Sequence, residues 1–139
     1  MEDLERFINA QEREYAIALA EIKNGRKRSH WMWYIFPQIQ GLGFSEMAKR
    51  YGIKNIDEAE AYMQHPVLGQ RLIEICTELL QLKSNDAYAI FGSPDDLKLK
   101  SSMTLFASLP DAYPVFKSIL DKFFNGESDS KTLHLIGEA

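Results

Sequence analysis

Residues 29–45, SHWMWYIFPQIQGLGFS, decide the fold class. Trp31 and Trp33 fall at alternate positions, a spacing that reads as a strand when taken alone. A strand needs neighbours, and no other stretch of the chain offers an alternating partner, so there is nothing from which to build a sheet. The segment predicts a short helical turn over 30–35 instead. Pro37, which lacks a backbone donor, breaks that turn, and a loop through Gly41 and Gly43 follows.

Working outward, the pattern is helical on both sides. Leu4, Phe7, Ile8, Tyr15, Leu19 and Ile22 recur at three- and four-residue spacings and predict a helix over roughly 4–24 with one buried stripe. Asp3 is placed to cap its start and Gly25 to end it in a left-handed conformation. After the loop, Ser45 caps a short helix containing Met47 and Tyr51 and closed by Gly52. Another runs from about Asp57 to Gln64 with Ala59, Tyr62 and Met63 inside. Pro66 reads as a first-turn proline of the longest central helix, 66–82, whose stripe is Leu68, Leu72, Ile75, Cys76, Leu79 and Leu80. Gly69 within it marks the close approach of another backbone.

Asn85 or Asp86 caps AYAIF, and Ser93-Pro94-Asp95-Asp96 starts a helix to about Ser108. A further helix spans roughly 112–124, and Asp129 or Ser130 opens a last turn. About seven mostly short helices with irregular joints do not form an up-down bundle, which needs a few long helices of matched length. The expected fold is all-α, an orthogonal globular bundle forming a single domain over 1–139.

The chain has 139 residues, 45% of them hydrophobic and 26% charged, with a net charge of −4. That argues against disorder and against a globally basic nucleic-acid binder. Cys76, the only cysteine, lies in an apolar stripe and has no partner for an intramolecular disulfide or a cysteine-based zinc site. The start, MEDLERFINAQE, is acidic and amphipathic rather than basic and then apolar, and no run is long and apolar enough to span a membrane. The expected setting is the cytoplasm.

Against that acidic background, residues 22–45 hold Lys23, Arg26, Lys27, Arg28, His30, both tryptophans and three further aromatics, with no acidic residue between Glu21 and Glu46. Two readings stand side by side. The cations of GRKRSH offset the negative end of the first helix's dipole, and the rings fill a small core. Alternatively Arg26, Lys27, Ser29, His30, Trp31, Trp33 and Gln38 form a ligand site, with cations on phosphate or carboxylate and rings stacked on a planar group. His30 is a candidate acid or base because an imidazole titrates near neutrality.

A second constellation, FGSPDDLKLKSSMTLF at 91–106, sets Asp95, Lys98 and Ser102 at three- and four-residue spacing on one helix face. Together with His30 they are the candidate catalytic residues, a lysine beside a serine being a known route to an activated nucleophile. His65 and His134 complete no metal-binding spacing, so neither a metal nor another cofactor is expected.

The strings RFINAQ, ALAEIKNGRKRSHWMWYIFPQIQGLG, EAYMQHPVLGQRL and IFG-x-x-DDLKLKSSMTLF, in this order, resemble a family of small all-α bacterial-type proteins of unknown function. Some members carry a calpastatin label. The resemblance covers nearly the whole chain and implies an all-α orthogonal bundle but no activity. The label does not suit this chain, since a calpastatin-type inhibitor is a long disordered repeat protein, whereas this sequence is short, aromatic-rich and periodic. The family pattern falls on Arg26, Lys27, Ser29, His30, Trp31, Trp33, Phe36, Pro37, Gln38, Gly41 and Gly43, on His65, Pro66, Gly69 and Arg71, and on Gly92, Asp95, Lys98, Ser101, Ser102 and Thr104.

Three functions compete on these residues. The first is a small-anion or nucleotide-binding domain, with or without catalysis, whose cleft is formed by residues 26–43 and 92–104. The second is a protein-interaction or structural module whose aromatics are core. The third, single-stranded nucleic-acid binding through stacking and cations, is opposed by the net charge.

Overall fold

The computed structural model describes residues 3–137, so the first two and last two residues of the expected 1–139 domain lie outside the described residues. Nine helices run through it: α1 Glu5–Lys23, α2 Met32–Ile35, α3 Glu46–Tyr51, α4 Ile56–Gln64, α5 Leu68–Gln81, α6 Ala87–Phe91, α7 Asp95–Ala107, α8 Pro114–Phe124 and α9 Ser130–Leu135. The excess over the expected seven comes from short turns such as α2, four residues long. Among the described residues no strand forms. The one extended pairing is an isolated bridge between Ile39 and Ile53, in which the Gln40 N–H donates to the Ile53 carbonyl and the Ile53 N–H to the Gln38 carbonyl, both at 2.8 Å.

Two helices organise the rest. α5 packs on α1, α4 and α8, and α7 packs on α8, α6, α9 and α4. Along α5 the expected stripe is realised up to Leu80, with Leu68, Leu72, Ile75, Cys76 and Leu79 buried and Leu80 only half-buried. Each such aliphatic side chain removed from water contributes about 1.5–3 kcal/mol. Burial pushes the Cys76 thiol pKa up, so this sulfur is a core atom and not a nucleophile. A line of rings joins the helices through the core: Phe7 meets Tyr62 edge-on at 5.2 Å, Tyr62 meets Phe106 at 5.5 Å, and Phe106 meets Phe116 at 5.6 Å.

Several helix ends follow the local chemistry of the sequence. Ser45, Asn55, Asp86 and Asp129 each accept a backbone N–H from the first turn of their helix. Three ends depart from expectation. Ser93 does not cap α7, because Pro94 itself stands at the cap position and no side chain accepts there. Asp3 does not cap α1, whose first turn follows Leu4 without a side-chain acceptor. Pro66 lies outside α5, and His65 caps that helix instead, its Nδ1 accepting the N–H groups of Val67 at 3.1 Å and Leu68 at 3.3 Å.

Gly69 lies where the end of α4 presses on the start of α5. A Cβ there would stand 2.1 Å from the Met63 carbonyl oxygen, and backbone cannot give way as a flexible side chain can. Gly69→Ala is therefore expected to cost at least about 3 kcal/mol, read as a lowered midpoint in urea or thermal unfolding.

Candidate functional site

The basic segment is seated by one carboxylate. α1 ends at Lys23, Gly25 takes the left-handed conformation at φ +78°, and the chain folds back so that residues 28–31 pass over the Glu21 side chain. Glu21 accepts four hydrogen bonds: from the Arg28 N–H at 2.8 Å, the Ser29 N–H at 3.0 Å, the Ser29 hydroxyl at 2.6 Å and the Trp31 indole N–H at 2.9 Å. Burial alone would raise the Glu21 pKa, but these donors, Ser29 foremost, hold it down at about 2. They also decide the role of Trp31. Its ring is fully buried, packed at 6.2 Å from Phe36 and 6.4 Å from Phe91, and is a core residue rather than a stacking platform.

One step before Arg28, the chain reaches across to α7. The Lys27 N–H donates to the Ile90 carbonyl at 2.8 Å, and its ammonium pairs with Asp95 at 2.8 Å while also donating to the Ser29 carbonyl. Lys98 pairs with the other oxygen of Asp95 at 3.3 Å. Each lysine also lies over an indole: Lys27 Nζ is 5.1 Å from the Trp31 ring centre, and Lys98 Nζ is 4.1 Å from that of Trp33. Two ammonium groups on one carboxylate leave an excess of one positive charge where the two sequence constellations meet.

That meeting point opens into a hollow of about 410 Å³. Trp33 and Gln38 line it from one constellation and Pro94, Leu97, Lys98 and Ser101 from the other. The loop before α3 adds Leu42 and Phe44, and α9 adds Lys131. The start of α9 is held there by the Thr104 hydroxyl, which accepts the Asp129 N–H at 2.9 Å. Asp129 also lines the hollow, but its carboxylate is engaged as a cap by the N–H and hydroxyl of Thr132, at 3.0 and 2.6 Å. Backbone donors contribute little, because the first-turn N–H groups of α7 are taken, Asp96 N–H by Gly92 and Leu97 N–H by Asp96. Attraction for an anion therefore rests on Lys98 and Lys131.

The other expected site residues are dispersed. Arg26 is exposed and lines a separate hollow beside Lys27, Tyr88, Phe91 and Gly92. His30 is exposed as well; its backbone carbonyl accepts the Tyr34 hydroxyl at 3.3 Å, and its side chain does not reach the Lys98 hollow. Lys27 and Ser29 are consumed in the contacts above. Ser102 is fully buried with an unpartnered hydroxyl, so the serine facing the hollow is Ser101, whose hydroxyl donates to the Leu97 carbonyl at 3.2 Å. The Lys98 ammonium contacts Asp95 and the Trp33 ring rather than Ser101 or Ser102, so it is not poised over either serine.

Sequence reasoning overlooked Glu21, although its signal was visible as the last acid before the long acid-free segment. It also overlooked Phe44, Leu97 and Lys131, because local spacing does not reveal that α9 and the loop before α3 converge on α7.

The depressed pKa of Glu21 makes its contribution pH-dependent. It stabilises the fold fully above the ordinary carboxylate value of 4.5 and is lost as pH falls towards about 2. Glu21→Gln is expected to destabilise the protein by about 2 kcal/mol at neutral pH and to flatten the loss of stability between those two pH values, as measured by urea unfolding across an acid series.

Comparison with curated proteins finds no match. A similar solved structure is the crystal structure at 1.38 Å of the conserved hypothetical protein Rv1873 from Mycobacterium tuberculosis, with 48% sequence identity, a TM-score of 0.95, and coverage of 97% of this chain and 96% of that one. The model of the family described as "Protein of unknown function (DUF1810)" matches residues 1–136. With that match over nearly its full length, the chain belongs to this family of all-α proteins of unknown function.

Proposed function

We propose that the hollow between Trp33 and α7 binds a small amphipathic anion, a nucleotide or an aromatic or apolar metabolite bearing phosphate or carboxylate. One observation carries the reading: the Lys98 ammonium held 4.1 Å over the Trp33 ring, inside a hollow of about 410 Å³ that is of ligand size. Lys98 and Lys131 would meet the anionic group, Gln38 and Ser101 supply polar contacts, and Leu42, Phe44 and Leu97 accept the apolar body. No catalytic step is assigned to it. A reducing cytoplasmic setting, in which Cys76 stays a thiol, suits this role.

A second reading, docking of a protein partner, is favoured by Phe44 at 79% and Leu97 at 57% exposure on the lip of the same hollow. The two readings divide on Lys98→Met, which would spare a docked partner and abolish binding of an anion.

A thermal-shift panel of nucleotides and phosphorylated or carboxylated aromatics tests the first. A ligand present at a hundred times its Kd is expected to add about 2.7 kcal/mol of stability and raise Tm. Trp33→Ala and Lys98→Met should each abolish the shift in a protein that still unfolds cooperatively. A panel with no stabilising anion, or a shift that survives both substitutions, would overturn the reading.

A further inference from the structure

A larger hollow, about 440 Å³, opens where the α4–α5 joint meets the α7–α8 joint. Its floor is apolar, formed by Ile73, Leu109 and Phe116. Tyr113, 45% exposed, stands at its rim. The charged groups lining it are two carboxylates, Glu60 and Asp111, with neither lysine nor arginine among its lining residues. Both carboxylates are unpaired among the described residues, whose ion pairs are Arg6–Glu58, Lys27–Asp95, Lys98–Asp95 and Lys117–Asp121.

The remaining polar groups do not offset that charge. α4 and α7 end at this hollow while α5 and α8 begin there, so their dipoles oppose one another and the side chains set the sign. His65 also lines it. Its Nδ1 accepts two backbone N–H groups of α5, which puts the ring proton of the neutral form on Nε2 and commits the imidazole as a cap. The Gly69 backbone lies flush against Met63, so the wall between α4 and α5 is fixed by main-chain contact rather than by mobile side chains.

We propose that this hollow is a second ligand site, for a small organic cation: a primary ammonium or guanidinium carried on an apolar body. Glu60 and Asp111 receive the charged head, the Tyr113 ring offers its negative face to the same head, and the apolar floor takes the shank. The site stands apart from the anion-binding hollow and does not depend on it. No residue lines both.

The test is a titration of the isotopically labelled full chain at low salt, followed by amide NMR shifts. Three probes of matched shape are used: benzylammonium, benzyl alcohol and benzoate. Benzylammonium is expected to move the amides of residues 60–70 and 109–116 and to bind about tenfold or more tightly than the alcohol, benzoate not at all. The double variant Glu60→Gln, Asp111→Asn should bring benzylammonium down to the level of the alcohol, its spectrum reporting that the fold is retained. Equal binding of the ammonium and the alcohol, shifts confined to other residues, or no shift at about 10 mM probe would each overturn the proposal. So would a double variant that binds benzylammonium as the parent does.

Discussion

The Glu21 carboxylate is the constraint on which the rest of the molecule turns. Four donors from residues 28–31 converge on it, and in satisfying them the chain must double back at the end of α1. That reversal does two things at once. It drives the Trp31 ring into the core against Phe36 and Phe91, and it aims Lys27 at Asp95 on α7. A carboxylate with several charge-assisted hydrogen bonds stays ionised in a partly buried place, and only the ionised form accepts from all four. The basic segment is therefore built around an acid, and most of its charge serves architecture before any ligand is considered.

The two lysines on Asp95 differ in how far they are buried. Lys27 is nearly buried, with 8% of its side chain exposed, and its charge is spent on Asp95 and the Ser29 carbonyl. Lys98 keeps 20% exposure over the open face of Trp33 and lines the hollow. The same residue pairing, lysine over tryptophan beside one aspartate, thus yields a latch on one side and an accessible cation on the other. Burial, not residue type, makes the difference. The hollow beyond the other end of α7 carries carboxylates and no lysine or arginine, so one 13-residue helix separates surroundings of opposite sign across a span of about 20 Å.

The fold class was legible because α1, α5 and α8 carry stripes that only a helix can gather on one side, and because Ser45, Asp86 and Asp129 announce helix starts through their own side chains, although the Asn55 cap of α4 went unread. The Gly69 contact was legible for a similar reason, a glycine standing in an otherwise regular stripe. α7 was harder. Ser101 through Phe106 are all buried, Ser102 and Thr104 included, so its middle has no polar face and periodicity could not tell which serine reaches solvent. The site was half legible. Charge and aromatic content drew attention to Trp33, Lys98 and Gln38, yet composition treats Trp31 and Trp33 alike, and only the Glu21 contact separates a core ring from an accessible one.

The bridge between Ile39 and Ile53 closes the excursion that carries Leu42, Phe44 and α3. Its two hydrogen bonds pin both feet of that excursion, much as a short hem fixes a fold of cloth, and Gly52 is packed against Gln40 at its base. One wall of the Trp33 hollow is thereby preorganised. Chain entropy that a loose loop would surrender on closing over a guest has already been given up in folding, so an occupant need meet only its own loss of motion and desolvation.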